Sequence, residues 1–249
     1  MNKHSDIKKP KLVLFDYGHT LVYEECFDLV AGGDALYNNI ISGADKISRD
    51  EFVQATCKLY RDMSGARRQL GLEVPADSFT RILREYYGIE FALDEIGVQG
   101  LYWDAVSPPV AMPGADEMLK YLSMHNIKTA VVSNVWYDSE TLKQRIKRLL
   151  PNSDFLFYMS TCNYGLRKPA RILFDIALKR AGCSPSEAWF CGDEPNADIN
   201  GAIRAGITPI WFDCDINCPY TKVEQDKPEE SIVHLKNWEE FMKLLGSCI

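Results

Sequence analysis

The residues that decide the fold are Lys11-Leu12-Val13-Leu14-Phe15-Asp16-Tyr17-Gly18-His19-Thr20-Leu21, near the N-terminus of a chain of 249 residues. Its mostly apolar first half runs directly into Asp16, and a turn that contains Gly18 follows. A short apolar run that ends at a turn indicates a strand buried on both faces of a parallel sheet. Such a strand delivers its last side chain to the carboxyl edge of the sheet, where open α/β sheets bind ligands. Asp16 is therefore placed as a reactive group, although an aspartate that only caps the turn would give the same local pattern.

Three later segments also place polar residues at the ends of predicted strands or at the beginning of a helix. An apolar run over 127–132 ends in Ser133-Asn134, and another over 188–191 ends in Gly192-Asp193, with Asp198 five residues further on. Between them, Lys168 precedes a predicted helix over 169–181, with Pro169 in its first turn, where proline is tolerated. Two more strands are predicted over 155–159 and 208–212.

An aspartate, a serine, a lysine and a pair of aspartates in this order resemble the four motifs of the haloacid dehalogenase (HAD) superfamily of hydrolases. Those motifs are an Asp-x-Asp-Gly-Thr loop, a Ser or Thr, a Lys, and a Gly-Asp…Asp pair. The resemblance covers residues 11–22 and 108–213. It implies an α/β fold in which a Rossmann-like parallel sheet is flanked by helices. It also implies a Mg²⁺-dependent phosphatase that acts on a small phosphorylated metabolite through an aspartyl phosphate.

The resemblance also implies a role for each motif residue. Asp16 would be the nucleophile, and Lys168 would neutralise negative charge on Asp16 and on the substrate. Thr20, Ser133 and Asn134 would bind the substrate, the two hydroxyls by hydrogen bonds to phosphoryl oxygens. The Mg²⁺ site would comprise Asp16, the Gly18 carbonyl, Asp193 and Asp198. Taken singly, the hydroxyls would be ordinary turn or cap residues and Lys168 a surface lysine, so the argument depends on their occurring together.

The sequence departs from the HAD pattern at Gly18, where the phosphatases carry a second aspartate that protonates the leaving oxygen and later activates water. Gly18 can do neither. General acid–base catalysis contributes about 10²–10⁴-fold, so slow turnover or a good leaving group is expected. A turn glycine of this kind can also have φ > 0, where an aspartate would cost stability. His19 is a candidate for the missing acid because histidine titrates near neutral pH, although it occupies the usual glycine position of the motif.

Two other functions stay open on the sequence. Dehalogenases of the same superfamily also lack the second aspartate, and their nucleophile attacks carbon and displaces halide without a metal. They have no phosphate or Mg²⁺ charge to balance, so the intact Gly192-Asp193…Asp198 argues against them. A catalytically impaired homologue with a binding role is the third possibility.

After Leu21 the alternation of strands and helices stops, and residues 23–107 show only helical periodicity. Helices are predicted there over 26–41, 49–70, 76–87 and 93–102. The chain is therefore expected to divide into an α/β core domain (1–22 and 108–249) and an all-helical cap domain (23–107), like the helical cap of many HAD enzymes. Side chains of the cap that could contact a substrate are Tyr23, Glu24, Arg61, Arg67 and Arg68, although for each of them taken singly a solvent-exposed helix face is the favoured interpretation. The basic helix over 139–150 in the core is expected to present its charges to solvent.

The composition restricts the partners. A net charge of −7 gives no general attraction for nucleic acid or for an anionic membrane surface. No apolar run approaches the roughly 20 residues that span a bilayer, and the first ten residues lack the apolar core of a signal peptide. A cytoplasmic location is predicted, and the eight cysteines are then expected to be thiols. The sequence does not indicate an oligomeric state.

Overall fold

The computed structural model describes residues 7–217, 219 and 232–248, except for the side chain of Arg68. The strands are β1 (Leu12–Phe15), β2 (Val22–Glu24), β3 (Ile40–Ser42), β4 (Glu90–Phe91), β5 (Pro109–Ala111), β6 (Lys128–Ser133), β7 (Phe155–Ser160), β8 (Ala188–Gly192), β9 (Thr208–Phe212) and β10 (Val233–Leu235). The α-helices are α1 (Leu29–Tyr37), α2 (Arg49–Leu70), α3 (Ser78–Tyr87), α4 (Glu95–Val106), α5 (Ala115–Met124), α6 (Ser139–Leu149), α7 (Arg171–Ala181), α8 (Gly201–Ala205) and α9 (Trp238–Ser247).

Within these residues, six strands form one parallel sheet in the order β10-β9-β8-β1-β6-β7. β1 lies inside the sheet, and alternate side chains of β1 enter two different cores. Val13 and Phe15 pack in one hydrophobic cluster, while Leu12 and Leu14 pack in the other on the opposite face. This period of two explains why the strand is apolar throughout. The α/β fold with a parallel sheet flanked by helices is confirmed.

The predicted helices are present, and their ends follow ordinary capping rules. α2 spans the predicted range. At its start Ser48 and Glu51 form a reciprocal capping box, in which the Glu51 N–H donates to the Ser48 hydroxyl at 3.3 Å. Gly206 ends α8 at φ 76, a conformation that favours glycine. The helix after Lys168 begins at Arg171, so Pro169 lies before it and not in its first turn. Residues 195–200 form a π-helical turn that leads directly into α8.

The segment between β2 and β5 carries α1 to α4, and it differs in one detail from the all-helical prediction. β3 and β4 pair with each other in antiparallel fashion, so the helix predicted over 26–41 ends at Tyr37 and a strand follows. These strands have only three and two residues, too few to show a period in the sequence. None of the described strands of this segment pairs with the six-stranded sheet. Where the chain leaves and re-enters the core, β2 and β5 form another antiparallel pair.

Among the described residues, no helix has both the length and the apolar character needed to cross a membrane. The seven described cysteines are all free thiols. Cys218, the eighth, lies outside the described residues.

Candidate active site

The carboxyl ends of three adjacent strands bring together polar residues that the sequence pointed to. β1 lies between β6 and β8, and Phe15 pairs with Val131 on one side and Cys191 on the other. Asp16 follows β1, Ser133 ends β6 and Asp193 follows β8, so all three reach the same edge of the sheet. They line one cleft with a volume of about 1440 Å³.

Lys168 lies between two aspartates on the floor of this cleft. Its Nζ is 2.5 Å from Oδ1 of Asp16 and 2.6 Å from Oδ1 of Asp198. The Lys168 side chain is only 1% exposed. Burial lowers the pKa of Lys168, but the two carboxylates raise it by more, and the net shift is upward. Lys168 is therefore a permanently charged group in contact with Asp16.

Asn134 holds the backbone of Lys168 in place. Its Oδ1 accepts a hydrogen bond from the Lys168 N–H at 2.8 Å, and its Nδ2 donates to the Lys168 carbonyl at 3.2 Å. These backbone groups precede α7 and need partners because they belong to no helix or sheet. Asn134 was expected to bind substrate. Its side-chain amide supports the lysine, and the residue also lines the cleft, so substrate binding by Asn134 stays a prediction.

Asp16, Asp193 and Asp198 form a cluster whose chemistry suits a divalent cation. One carboxylate oxygen from each residue lies within 4.8 Å of the other two, and such hard oxygen donors are what Mg²⁺ prefers. Both oxygens of Asp198 already have protein donors, Lys168 at Oδ1 and the Glu194 N–H at Oδ2. Asp16 and Asp193 are therefore the better candidates for direct ligands. Burial raises the pKa of Asp198 to about 7, against the lowering effect of Lys168.

In the turn after Asp16, Gly18 lines the cleft, whereas His19 and Thr20 do not. A Cβ built on Gly18 would meet no atom within 4 Å. The positive φ in this turn belongs to His19 (φ 50) and not to Gly18, which corrects the concern about backbone strain at Gly18. His19 is buried outside the cleft lining, with its Nε2 3.7 Å from Oε2 of Glu24. Thr20 is also buried outside the lining, and its Oγ1 has no hydrogen-bond partner among the described residues.

Comparison with known proteins agrees with this geometry. The family model of haloacid dehalogenase-like hydrolases matches residues 104–212. These residues, somewhat under half of the chain, are similar to the HAD hydrolases. The ribulose-1,5-bisphosphate 5-phosphatase of Halopiger xanaduensis is 28% identical over 137 residues, which are 54% of this chain and 56% of that protein. The chain spans about half the length of the first curated relatives it matches.

Solved HAD structures share the fold over nearly the whole chain. A HAD phosphatase from Thermococcus onnurineus superimposes with a TM-score of 0.61 at 20% identity, covering 95% of this chain and 98% of that one. The 2-haloacid dehalogenase of Pseudomonas syringae pv. Tomato gives 0.60 at 20% identity, with the same two coverages. Both reactions therefore occur on this fold, and the choice between them must come from the site itself.

The wall of the cleft that faces the helical segment is basic and aromatic. From α2, Tyr60, Arg61 and Arg67 line the cleft, with Trp103 and Trp136 beside them. The ring centre of Tyr60 is 5.2 Å from that of Trp136, and the Arg67 guanidinium is 4.9 Å from the Trp136 ring. Of the other residues proposed from the sequence to contact substrate, Glu24 lines the cleft, Tyr23 packs against the core, and the Arg68 side chain lies outside the description.

Arg145 is a buried charged residue that was not predicted from the sequence. It lies on the basic helix that was expected to face solvent, yet its side chain is 1% exposed. It donates to the Tyr17 hydroxyl at 3.3 Å and to the Ser107 carbonyl at 2.8 Å, and it pairs with Asp104. Arg145 thus connects Tyr17, the residue after Asp16, to the point where the helical segment returns to the core. Sequence periodicity does not distinguish such an arginine from its solvent-exposed neighbours.

Proposed function

We propose that this HAD chain is a Mg²⁺-dependent phosphatase that hydrolyses a small phosphorylated metabolite through an aspartyl-phosphate intermediate on Asp16. The observation that carries the proposal is the contact of Lys168 with Asp16 and Asp198, with Asp193 in the same cluster. This floor concentrates carboxylates around one ammonium group. Such an arrangement suits a reaction that consists mainly of positioning and charge neutralisation, as phosphoryl transfer does.

In the proposed first step, a carboxylate oxygen of Asp16 attacks the phosphorus atom, and the bond from phosphorus to the ester oxygen breaks. The leaving oxygen takes the electron pair of that bond. Lys168 stabilises the charge that develops on the phosphoryl group, because its ammonium is fixed beside Asp16. Ser133 lines the cleft and offers a hydroxyl to the phosphoryl oxygens. A bound Mg²⁺ would supply further charge neutralisation, held by Asp16, Asp193 and the Gly18 carbonyl, with Asp198 beside them. Thr20 is assigned to the same phosphate site on the motif alone.

In the second step, water attacks the aspartyl phosphate, which releases inorganic phosphate and restores the Asp16 carboxylate. Gly18 provides no side chain to protonate the leaving oxygen or to activate this water. The proposed substrate therefore has a leaving group that departs without a proton, or another residue supplies it.

The division of the chain is part of the proposal. Residues 1–22 and 108–249 would form the core domain, and residues 23–107 a cap that covers the cleft. The cap contributes Arg61 and Arg67 to the cleft wall, where they would contact the part of the metabolite that is not hydrolysed. A cap in this position would exclude water from the reacting groups. A cytoplasmic location and the lack of a nucleic-acid or membrane partner stay predictions.

A haloacid dehalogenase is the second candidate, and the observation that favours it is Gly18. In that reaction Asp16 would attack carbon and displace halide, which needs no proton on the leaving group. The carboxylate cluster argues the other way, because Asp193 and Asp198 would place further carboxylates next to an anionic haloacid.

The deciding experiment measures phosphate release from p-nitrophenyl phosphate and halide release from a 2-haloacid, each with excess Mg²⁺ and with EDTA. We expect phosphate release only with Mg²⁺, and none from Asp16→Asn. Halide release in EDTA would establish the dehalogenase instead. Release of neither product would favour a binding role.

A further inference from the structure

Glu73 is a buried carboxylate outside the catalytic cluster, between the end of α2 and the core. Its side chain has no exposed surface. Oε2 lies 3.1 Å from Nη1 of Arg67, which is on α2, and Oε1 pairs with Nη1 of Arg167 in the core. The Thr161 hydroxyl also donates to Oε1, at 3.2 Å. A carboxylate without solvent needs charged partners, and this one takes them from both sides of the cleft.

The backbone around Glu73 makes a second connection to the same part of the core. The Glu73 N–H donates to the Gly165 carbonyl at 3.1 Å, and the Arg167 N–H donates to the Gly71 carbonyl at 3.3 Å. Between these two bonds, Leu72 and Leu166 form an antiparallel bridge. We call this short two-stranded contact of residues 71–73 with 165–167 the clasp.

The clasp ends one residue before Lys168. On the other side, the Lys168 backbone is held by the two hydrogen bonds from Asn134. The lysine that reaches Asp16 and Asp198 therefore depends on two supports, one within the core and one contributed by the end of α2. Arg67 and Arg167 line the cleft, whereas Glu73 is not among the lining residues and lies behind them.

We propose that Glu73 is a positioning residue that makes the placement of Lys168 depend on the placement of the helical segment. If residues 71–73 move away from the core, the clasp releases Gly165 and Arg167, and the support on one side of Lys168 is lost. When they are docked, Glu73 pairs with both Arg67 and Arg167, and the segment before Lys168 is fixed. The expected effect on kcat rests on the proposed function. The structural coupling between the clasp and the segment before Lys168 does not, because it exists without turnover.

The kinetic test compares Glu73→Gln with Glu95→Gln in the full-length protein. Glu95 is the control because it also accepts hydrogen bonds from an arginine and a threonine, Arg84 at 2.5 Å and Thr80 at 2.7 Å, and none of its partners among the described residues belongs to the clasp. With p-nitrophenyl phosphate and Mg²⁺, we expect Glu73→Gln to lower kcat by about 10- to 100-fold, the effect of a misplacement on the order of 1 Å. KM should change by less than about threefold, since uniform binding is not removed. Glu95→Gln should keep both constants.

A rise in KM with unchanged kcat would overturn the proposal, because it would show that Glu73 acts on substrate binding through Arg67 or Arg167 and not on the placement of Lys168. Equal losses in both variants would overturn it as well, because they would show a general loss of structure. If Glu73→Gln does not fold, Thr161→Val removes one hydrogen bond to Glu73 with little change in volume and takes its place in the same comparison.

Hydrogen exchange tests the coupling without turnover. In the native protein the amides of Glu73 and Arg167 are donors in the clasp and should exchange slowly. In Glu73→Gln we expect peptides that cover 71–73 and 165–168 to exchange faster together, and in Glu95→Gln neither should change. Unchanged exchange at 165–168 in Glu73→Gln would overturn the proposal. If the native protein hydrolyses no phosphate ester, the proposed function fails, but this measurement still decides whether the clasp exists.

Discussion

Replacing Gly18 by aspartate tests directly whether the missing acid limits the reaction. The structure removes the two obvious obstacles to this substitution. Gly18 does not have a positive φ, and a Cβ at this position meets no atom within 4 Å. Gly18 also lines the cleft that contains Asp16, so an added carboxyl group would enter the space where the leaving oxygen must lie. Loss of a glycine should itself stabilise the folded state slightly, by about 0.4–1 kcal/mol, through the unfolded chain.

The expected gain depends on the leaving group. For an alkyl monoester, whose alkoxide needs a proton, a positioned acid is worth at most about 10²–10⁴-fold, or about 3–5 kcal/mol of barrier. For p-nitrophenyl phosphate, whose leaving group departs unaided, the rate should stay nearly the same. The assay is kcat/KM of Gly18→Asp on both esters relative to the native protein, with saturating Mg²⁺ and a thermal melt of each variant.

Gly18→Asn is the matched control, because asparagine has the size of aspartate but cannot supply the carboxylic proton. It should give no gain with either ester. A folded Gly18→Asp protein that gains nothing on the alkyl ester would refute the reasoning, and the dehalogenase or the binding role would then be favoured. Native protein that already hydrolyses both esters equally fast would show that another group donates the proton. Glu24 and His19, as neighbours 3.7 Å apart, would be the first to replace.

Three further outcomes follow from the site. Gly192→Ala should abolish Mg²⁺-dependent activity while the protein stays folded, because its Cβ would lie 2.3 Å from Oδ2 of Asp198; activity and circular dichroism check this. Lys168→Met should lower the free energy of unfolding by about 3–5 kcal/mol in urea without Mg²⁺, since it leaves Asp16 and Asp198 facing each other. Burial raises the pKa of Asp198 to about 7, so the stability from its bound proton is complete below about pH 4 and is lost as the pH rises through 7. Mg²⁺ should therefore raise the Tm more at pH 8 than at pH 6, and an equal shift at both pH values would contradict this.

The buried strands and the long helix could be predicted from the sequence, because each of them produces a distinct local pattern of apolar residues. Strands buried on both faces must be apolar, and the runs before Asp16, Ser133 and Asp193 end where the structure ends β1, β6 and β8, to within one residue. Because parallel strands end at one edge, the convergence of these side chains follows from the order of strands and helices alone. The helix over 49–70 was also predictable, since its length allows many repeats of the helical period.

The parts that could not be predicted depend on partners far away in the chain. Glu73 and Arg167 are 94 residues apart, and Arg145 and Tyr17 are 128 apart. In the sequence each of these arginines has the same pattern as a surface residue. Whether a charged side chain is buried depends on a partner from a distant part of the chain, and the local sequence does not show that partner. Asn134 illustrates a finer limit. Its position after β6 was predicted, but only the structure shows that its side-chain amide forms hydrogen bonds with the backbone of Lys168.

The charges of Asp16, Asp193, Asp198 and Lys168 on the floor of the cleft favour one of the two candidate reactions over the other. Three carboxylates and one ammonium group meet there, so these four groups carry a net charge of −2 when all are ionised. Burial makes this net charge costly, and it raises the pKa of Asp198 to about 7 against the lowering effect of Lys168. A divalent cation would offset this net charge completely and would let a phosphate dianion approach Asp16. A haloacid carries one negative charge and brings no cation with it, so the same floor would repel it. The carboxylate cluster, more than the fold that phosphatases and dehalogenases share, is therefore the reason to prefer phosphoryl transfer.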